Sequence, residues 1–415
     1  KTAANLGFEN TTTEVNFPKV MARIHQVIKT IEPHDSIERY TELGVEVLSG
    51  EAKIIDPWTV EINGKKITSA QLIIATGARP FVPPISGLSD IDYLTSDNLW
   101  QLNELPQRLV VLGGGPIGSE LTQAFARLGS TVSQIELLDR IMSREDPEVS
   151  DYVKHKFTSE GINVLTSHQA LRIEVIDGNK QLICRHNEQE VVIEFDQIIV
   201  AVGRAANTQG FGLEQLNINL RPNKTIEVNA YLQTNYPNIY AVGDVTGPYQ
   251  FTHVASHQAW FGAVNALFGR FKKFKVDYRV IPWATFVDPE IARVGINETE
   301  AKAQGLDYSV TRYDIDDLDR AITEDQATGW VKVITAKSSD KILGVTIVAH
   351  NAGELITEYV SAMKHNLGLN KILSTIHIYP TMSEANKYAA GVWKRNNAPQ
   401  RILRWLGKYH GWQMK

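Results

Sequence analysis

After a mostly polar opening, Phe17, Val20, Met21, Ile24, Val27, Ile28 and Ile31 recur on one helical face, which predicts a single long amphipathic helix. The period then shortens. Val45 to Leu48 reads as a short strand, and Thr59–Ile62 and Lys66–Thr68 flank Asn63-Gly64, a turn dipeptide that tolerates the positive φ of a β-hairpin. The run QLIIATGARP predicts a buried strand ending at Gly77. From Arg108 the chain alternates apolar strand (LVVLGG), helix (Ile117 to Leu128), apolar strand (TVSQIE) and helix (Pro147 to Glu160), the pattern of a doubly wound parallel sheet. Further strands run to QIIVAVG at 197–203, and NIYAVGD at 238–244 gives another that ends in glycine and an acid. Beyond the basic loop RFKKFKVDYR, strands at WATFV, GWVKVI and ILGVTIV, with helices from Glu298 and Gly353, predict a separate α+β domain.

With 415 residues the chain exceeds what one core usually organises, so two to four domains are expected. Its hydrophobic content of 43% and net charge of −5 are those of an ordinary globular protein, and they exclude a surface built overall for nucleic acid. No stretch approaches the roughly 20 apolar residues of a membrane helix, and the first residues lack a signal-peptide pattern, so a cytoplasmic protein is expected. The single cysteine, Cys184, excludes an intrachain disulfide or a CxxC metal site in this segment. We read it as a buried structural thiol, and no metal site is expected.

Gly113-Gly114-Gly115-Pro116-Ile117-Gly118 carries the strongest chemical signal, because it joins a strand to a helix and Glu136 ends the next strand. Gly113 permits the tight turn, Gly115 lets the backbone approach a pyrophosphate, and Gly118 lets helix pack on strand. The helix N-terminus offers N–H groups to the phosphates. Pro116 suits the first helical position, where no N–H is needed. Glu136 can accept from a ribose 2′-OH and would repel a 2′-phosphate, so NAD is favoured; Arg140, four residues on, keeps NADP open. The plain alternative is a glycine turn of an α/β protein with no ligand.

ATGARP at 75–80, AVGRAAN at 201–207, YAVGDV at 240–245 and YPTMSE at 379–384 occur in the order and spacing of the flavoprotein disulfide reductases, which this sequence resembles from about Val15 to Lys394. The similarity leans to the lipoamide dehydrogenase and mercuric reductase branch through GGGPIGSE, EDPEVS and IYPTMSEANKYAAG. The resemblance implies two doubly wound dinucleotide-binding domains, the FAD one incomplete at its N-terminus, plus a C-terminal α+β dimerisation domain. The expected boundaries are 1–106 and 231–277 for the two parts of the FAD domain, 107–230 for the NAD(P) domain, 278–395 for dimerisation and 396–415 for a basic amphipathic tail.

By the same resemblance Asp244 binds the ribityl chain of FAD and Gly243 allows its approach; a carboxylate suits a polyol, although an aspartate there also serves as a turn or cap. Thr252 to Ala255 begin a helix beneath the flavin's pyrimidine edge, where a helix N-terminus stabilises the negative charge of reduced flavin. Thr76 and Gly77 mark the crossing between the two nucleotide domains. Gly203 and Arg204 lie in the loop facing the nicotinamide, unless Arg204 is a solvated surface charge. Glu120 matches a glutamate near the nicotinamide ring, or simply complements a helix dipole.

Two departures stand out. The family's first GxGxxG and its CxxxxC redox helix do not occur in this sequence, so a segment on the order of a βαβ unit plus that helix is expected upstream, and without it FAD is expected to be held weakly or not at all. At the YPTMSE motif Tyr379 stands where lipoamide and glutathione reductases have a catalytic histidine, and a phenol with pKa near 10 cannot replace an imidazole near neutrality. Glu384 keeps its place. His377 shares a strand face with Tyr379 only at roughly 7 Å along the chain, a distant substitute. Tyrosine at this position resembles mercuric reductase and the soluble transhydrogenase, but no cysteine lies between Ala389 and Lys415 to capture mercury.

The implied activity is an FAD- and NAD(P)H-dependent oxidoreductase passing hydride to a disulfide or other small-molecule acceptor. Tyr379, Glu384 and Glu120 are its candidate catalytic residues, and the chain is expected to form a homodimer in which Tyr379 and Glu384 face the partner's flavin. A transhydrogenase and an inactive nucleotide-binding scaffold are the alternatives. The segment from Val392 to Lys415 has six Lys or Arg, no acid, and Ile402, Leu403, Trp405 and Leu406 at helical spacing. Such a helix can touch a membrane surface, but an apolar stripe packed on its own domain is the favoured reading.

Overall fold

The computed structural model describes residues 7–9 and 14–414. The chain divides into two compact units, one made of the residues up to 142 together with 151–276, the other of 143–150 and 277–415.

In the first unit a four-stranded parallel sheet orders its strands as Gln197–Val200, Arg108–Leu112, Thr131–Ile135 and Asn163–Leu165. Their near-continuous apolar sequences reflect burial on both faces; Val110, Val111, Ile135, Ile198 and Ile199 are fully buried. The Arg108 strand has its sequence successor on one side and the Gln197 strand on the other, which makes its carboxyl end the point where strand order reverses. A three-stranded antiparallel meander, Gln169–Ile176, Asn179–His186 and Gln189–Phe195, shares its core with this sheet. Both of its turns, Asp177-Gly178 and Asn187-Glu188, have two consecutive positive φ values, as two-residue hairpins of the primed type require. Cys184 is buried there and free, and burial pushes its thiol up to about 12.

Several expectations needed correction. The helix Phe17–Ile31 forms as read, capped by the Asn16 side chain, but only Phe17 and Met21 are buried, while Val27, Ile28 and Ile31 are exposed. Val45 to Leu48 is not a strand. The strand read as buried and ending at Gly77 is Leu72–Ile74, which pairs in parallel with Ile239–Ala241 but leaves Ile73 exposed, and a second strand not read, Ala78–Pro80, pairs antiparallel with Arg204–Ala206. Gly77, at φ 64°, turns the chain between them, as a glycine at a strand end can. The hairpin at Asn63-Gly64 closes as expected, Thr59–Ile62 against Lys65–Thr68.

The second unit is a five-stranded antiparallel sheet in the order Pro282–Thr285, Glu290–Gly295, Ile342–Ala349, Trp330–Ala336, Tyr308–Asp314. Its core includes residues of the helices Ala352–Lys364, Leu369–Ser374 and Glu384–Asn396. The short segment 143–150 belongs here because Lys332, almost fully buried, binds Asp146 at 2.9 Å, Glu148 at 2.8 Å and Glu298 at 3.0 Å. A lysine so buried is tolerable only when paired. Burial alone would lower its pKa, but the hydrogen bonds it donates to these carboxylates outweigh that and raise it.

Candidate functional site

The glycine loop sits at the carboxyl end of the Arg108 strand. Gly113 has φ 118°, and a Cβ there would lie 2.4 Å from the Ala201 carbonyl oxygen; one on Gly118 would lie 2.2 Å from the Gly113 carbonyl oxygen. Both glycines are therefore demanded by the fold, through the close approach of the Pro116–Leu128 helix to two strand ends. Gly115 differs, because a Cβ there would meet nothing within 4 Å. Its smallness is not used by the protein's own packing and leaves the backbone open to a ligand. The helix starts at Pro116 with no side-chain cap, so its first N–H groups are disposed to receive an anion. Pro116 and Ile117 are exposed at this end, and Glu120 is half-buried one turn further along.

Glu136 closes the loop. Its Oε2 accepts from the Gly114 N–H at 2.6 Å and its Oε1 from the Leu138 N–H at 2.8 Å. Charge-assisted bonds of this kind fix the carboxylate while leaving lone pairs for a hydroxyl. Below the loop, the fully buried Gln134 donates from Nε2 to the Gly113 carbonyl and to Ser119 Oγ, both at 3.1 Å. Sequence reasoning missed this pair. The available signal was a glutamine inside a strand otherwise read as core, since a buried amide must find partners.

The second cluster in this unit lies where two connecting segments run side by side. Thr76 Oγ1 donates to the Asn207 carbonyl at 2.8 Å, the Asn207 amide donates back to Thr76 at 2.9 Å, and the Asn207 N–H reaches the Gly77 carbonyl at 3.0 Å. Gly203, at φ 135°, opens onto free space and accepts at its carbonyl from the Phe81 N–H. Arg204 is engaged on the protein: Nη2 donates to the Ala78 carbonyl at 2.6 Å and Nε lies 3.7 Å from Asp244 Oδ2. That placement links the glycine loop, over which Ala201 packs, to the Gly243-Asp244 turn through Arg204, three residues after Ala201.

Asp244 stands in a single 3₁₀ turn, Gly243–Val245, with Gly243 at φ 76°. Burial raises its carboxyl above the usual range, and the Arg204 charge works against that rise. The turn is fixed by Gln258, a buried residue the sequence did not single out, whose Oε1 accepts from the Gly243 N–H at 2.5 Å. Gln258 belongs to the helix Thr252–Phe268, which begins without a side-chain cap; Ala255 in its first turn stands 3.4 Å from where a Gly243 Cβ would be. Thr252 at its start is exposed.

The remaining candidates lie in the second unit. Tyr379 is 66% exposed, and its hydroxyl donates to Asp319 Oδ2 at 2.9 Å. That bond and the Asp319 charge raise the phenol pKa, so it stays protonated well past neutrality. Glu384 is buried at the head of the helix Glu384–Asn396, accepting from the Thr381 N–H at 3.2 Å and the Tyr388 hydroxyl at 3.3 Å. His377 does not join either of them: Nε2 faces both Glu358 oxygens, at 3.0 and 3.1 Å, and Nδ1 faces the Thr375 carbonyl. Asp319 was not singled out from the sequence, because no pattern ties it to Tyr379 sixty residues on; Tyr388 was not either, although its spacing of four from Glu384 on one helix was the available signal.

Comparison with known proteins identifies the family. Residues 6–259 match the model of the pyridine nucleotide-disulphide oxidoreductases, and residues 281–390 match the dimerisation domain of the same proteins. Mercuric reductase of Staphylococcus aureus is 35% identical over 384 residues, covering 92% of this chain and 70% of the relative. Dihydrolipoyl dehydrogenase of Chlamydia trachomatis is 32% identical, covering 89% of this chain and 79% of the relative. Among solved structures, an HOCl-induced flavoprotein disulfide reductase of Escherichia coli superposes with a TM-score of 0.83 at 26% identity, over 91% of this chain and 85% of that one. This chain belongs to the pyridine nucleotide-disulphide oxidoreductase family, with its dimerisation domain.

Proposed function

We propose that this protein is an FAD-dependent oxidoreductase that takes hydride from a nicotinamide nucleotide, NADH in preference to NADPH, and passes the electrons to a disulfide or other acceptor as a homodimer. The observation that carries the reading is that one unit contains both the Gly113–Gly118 loop and the Gly243-Asp244 turn, joined through Ala201 and Arg204.

The residues present fit the flavin end of FAD. Asp244 offers a half-buried carboxylate to a polyol, Gly243 removes a side chain from its approach, and the uncapped helix at Thr252 aims N–H groups and positive potential at the same turn. When bound, flavin supplies two-electron acceptance from a nicotinamide and onward delivery. The chain's own contribution is positioning. The helix at Pro116 holds the pyrophosphate of the nucleotide, Glu136 accepts from its ribose, and Gly115 lets the backbone close in. Glu136 already accepts two main-chain N–H groups, which fix its carboxylate where a 2′-phosphate would have to sit. Arg140 nearby keeps a buried Nε without a hydrogen-bond partner, a donor that leaves NADPH as the weaker substrate.

Tyr379 and Glu384 are proposed to serve the acceptor half-reaction across a dimer. Tyr379, with its proton fixed toward Asp319, orients or shields an acceptor rather than exchanging protons at neutral pH. The reading is tested by the visible spectrum of the purified protein, alone and after addition of FAD, followed by anaerobic NADH. A flavin band that bleaches with NADH supports it; a protein that neither carries nor takes up flavin in any form, including one extended at its N-terminus, overturns it.

A further inference from the structure

The helix Gln400–Gln413 lies outside both family matches, which end at residue 390, and none of its residues is buried. The favoured sequence expectation, a stripe packed on its own domain, is therefore not met. Trp405 is 62% exposed and Trp412 71%, while Ile402, Leu403 and Tyr409 are likewise open. The faces are sharply separated. At about 100° per residue, Arg401, Arg404 and Lys408 fall within a sector of about 60°. Ile402, Leu403, Trp405, Leu406 and Tyr409 spread over an opposite sector of about 160°, with Trp412 at the border between the two. His410 and Gln413 are the only polar side chains on the apolar side.

Charge settles what this face suits. From Val392 to Lys415 there are six Lys or Arg and no Asp or Glu, in a chain whose net charge is −5. A second copy of the chain could pair with the basic sector only if an acidic surface faced it, whereas the mixed aromatic and aliphatic face beside it calls for an apolar partner in the same contact. A lipid surface with anionic headgroups supplies both at once: headgroups for the arginines and lysine, and the acyl boundary for the leucine, isoleucine and tryptophan side chains. Trp405 stacks on Tyr409 with ring centroids 5.8 Å apart, giving a broad amphipathic aromatic surface of the kind enriched at membrane interfaces. No described helix is long and apolar enough to cross a membrane, so this contact lies in the interfacial plane.

We propose that the Gln400–Gln413 helix docks this protein on an anionic lipid bilayer, independently of the nucleotide chemistry. The test is cosedimentation of the whole chain with vesicles of phosphatidylcholine alone and of equal parts phosphatidylcholine and phosphatidylglycerol. Binding to the anionic vesicles alone is expected. R401Q/R404Q/K408Q should lower the partition coefficient roughly a hundredfold, at about fivefold per charge, and L403S/L406S should abolish binding with all charges kept. Because the helix buries no side chain in the chain, both variants should melt as the parent does. Equal binding to neutral vesicles, or none to anionic ones, overturns the proposal. So does an L403S/L406S variant that loses dimers in sedimentation equilibrium yet binds vesicles unchanged, which would assign the face to a second copy.

Discussion

The glycine loop at 113–118 and the segment 375–384 are the two most chemically informative stretches of the molecule, and they are built on opposite terms. In the loop every exacting group is answered within its own unit: Gly113 by Ala201, Gly114 by Glu136, Ser119 by Gln134. In the segment, Ile376 is 94% exposed, Ile378 76% and Tyr379 66%, although Glu384 and His377 just beside them are fully engaged. A site whose constraints are internal is complete when its unit folds. A segment that places large apolar groups in solvent awaits a covering surface, as the match of residues 281–390 to a dimerisation domain leads one to expect.

That contrast can be broken most forcefully at Gly118. Its Cβ would fall 2.2 Å from the Gly113 carbonyl oxygen, so Gly118→Ala should cost on the order of 3 kcal/mol or more of stability and abolish NADH binding. Gly115→Ala, with open space around it, should leave thermal unfolding within about 0.5 kcal/mol of the parent and weaken only NADH binding. Equal melting of the two variants would show that the loop is not internally constrained.

In the second unit, Lys332→Met leaves Asp146 buried without its cation and should cost roughly 3–5 kcal/mol. Burial works to raise the Asp146 carboxyl, but hydrogen bonds from Lys332 and Thr299 outweigh it, so the folded value is below the ordinary one. Its contribution is present above the ordinary carboxylate value of about 3.9 and lost as pH falls through the lower folded value. Denaturant titrations should show that acid loss in the parent and a flatter profile in the variant; a parallel profile would rule the network out as its source.

Glu136→Ala should weaken NADH binding by about tenfold, the value of a hydrogen bond to a charged group, with little loss for NADPH, as read by fluorescence titration. The single thiol offers a smaller but cleaner reading. With its pKa pushed up to about 12, Cys184 should react with a disulfide reagent at neutral pH only after unfolding, and ready labelling of the native protein would contradict its burial. Smallest of all, Tyr379→Phe removes a bond between two exposed side chains and should change stability by no more than about 0.5 kcal/mol. A larger loss, dependent on protein concentration, would show that a second copy already covers this segment.

Much of the first unit was legible because its rules are local. Apolar strands of four or five residues, a glycine loop between strand and helix, and an acid ending the next strand follow from short-range geometry, and the loop stands where that pattern put it. The strand Ala78–Pro80 just beyond Gly77 escaped because three residues ending in a proline carry no apolar pattern of their own. Gln134 and Gln258 escaped for another reason. Each is a polar residue in an apolar environment, recognisable only when the groups it satisfies, Gly113 and Gly243, are known to lie beside it.

By itself, then, the sequence determined the order of elements, the glycine loop with its acid, and the segregation of charge from apolar surface in the last helix, since each depends on neighbours a few residues away along the chain. Only the tertiary structure decided that Arg204 turns to Asp244, that His377 turns to Glu358 and not to Glu384, and that Tyr379 gives its proton to Asp319. It also decided that the stripe on the Gln400 helix stays uncovered. Those outcomes depend on which distant surfaces come within a few ångströms, and hydrogen bonds and burial are selective only at that range.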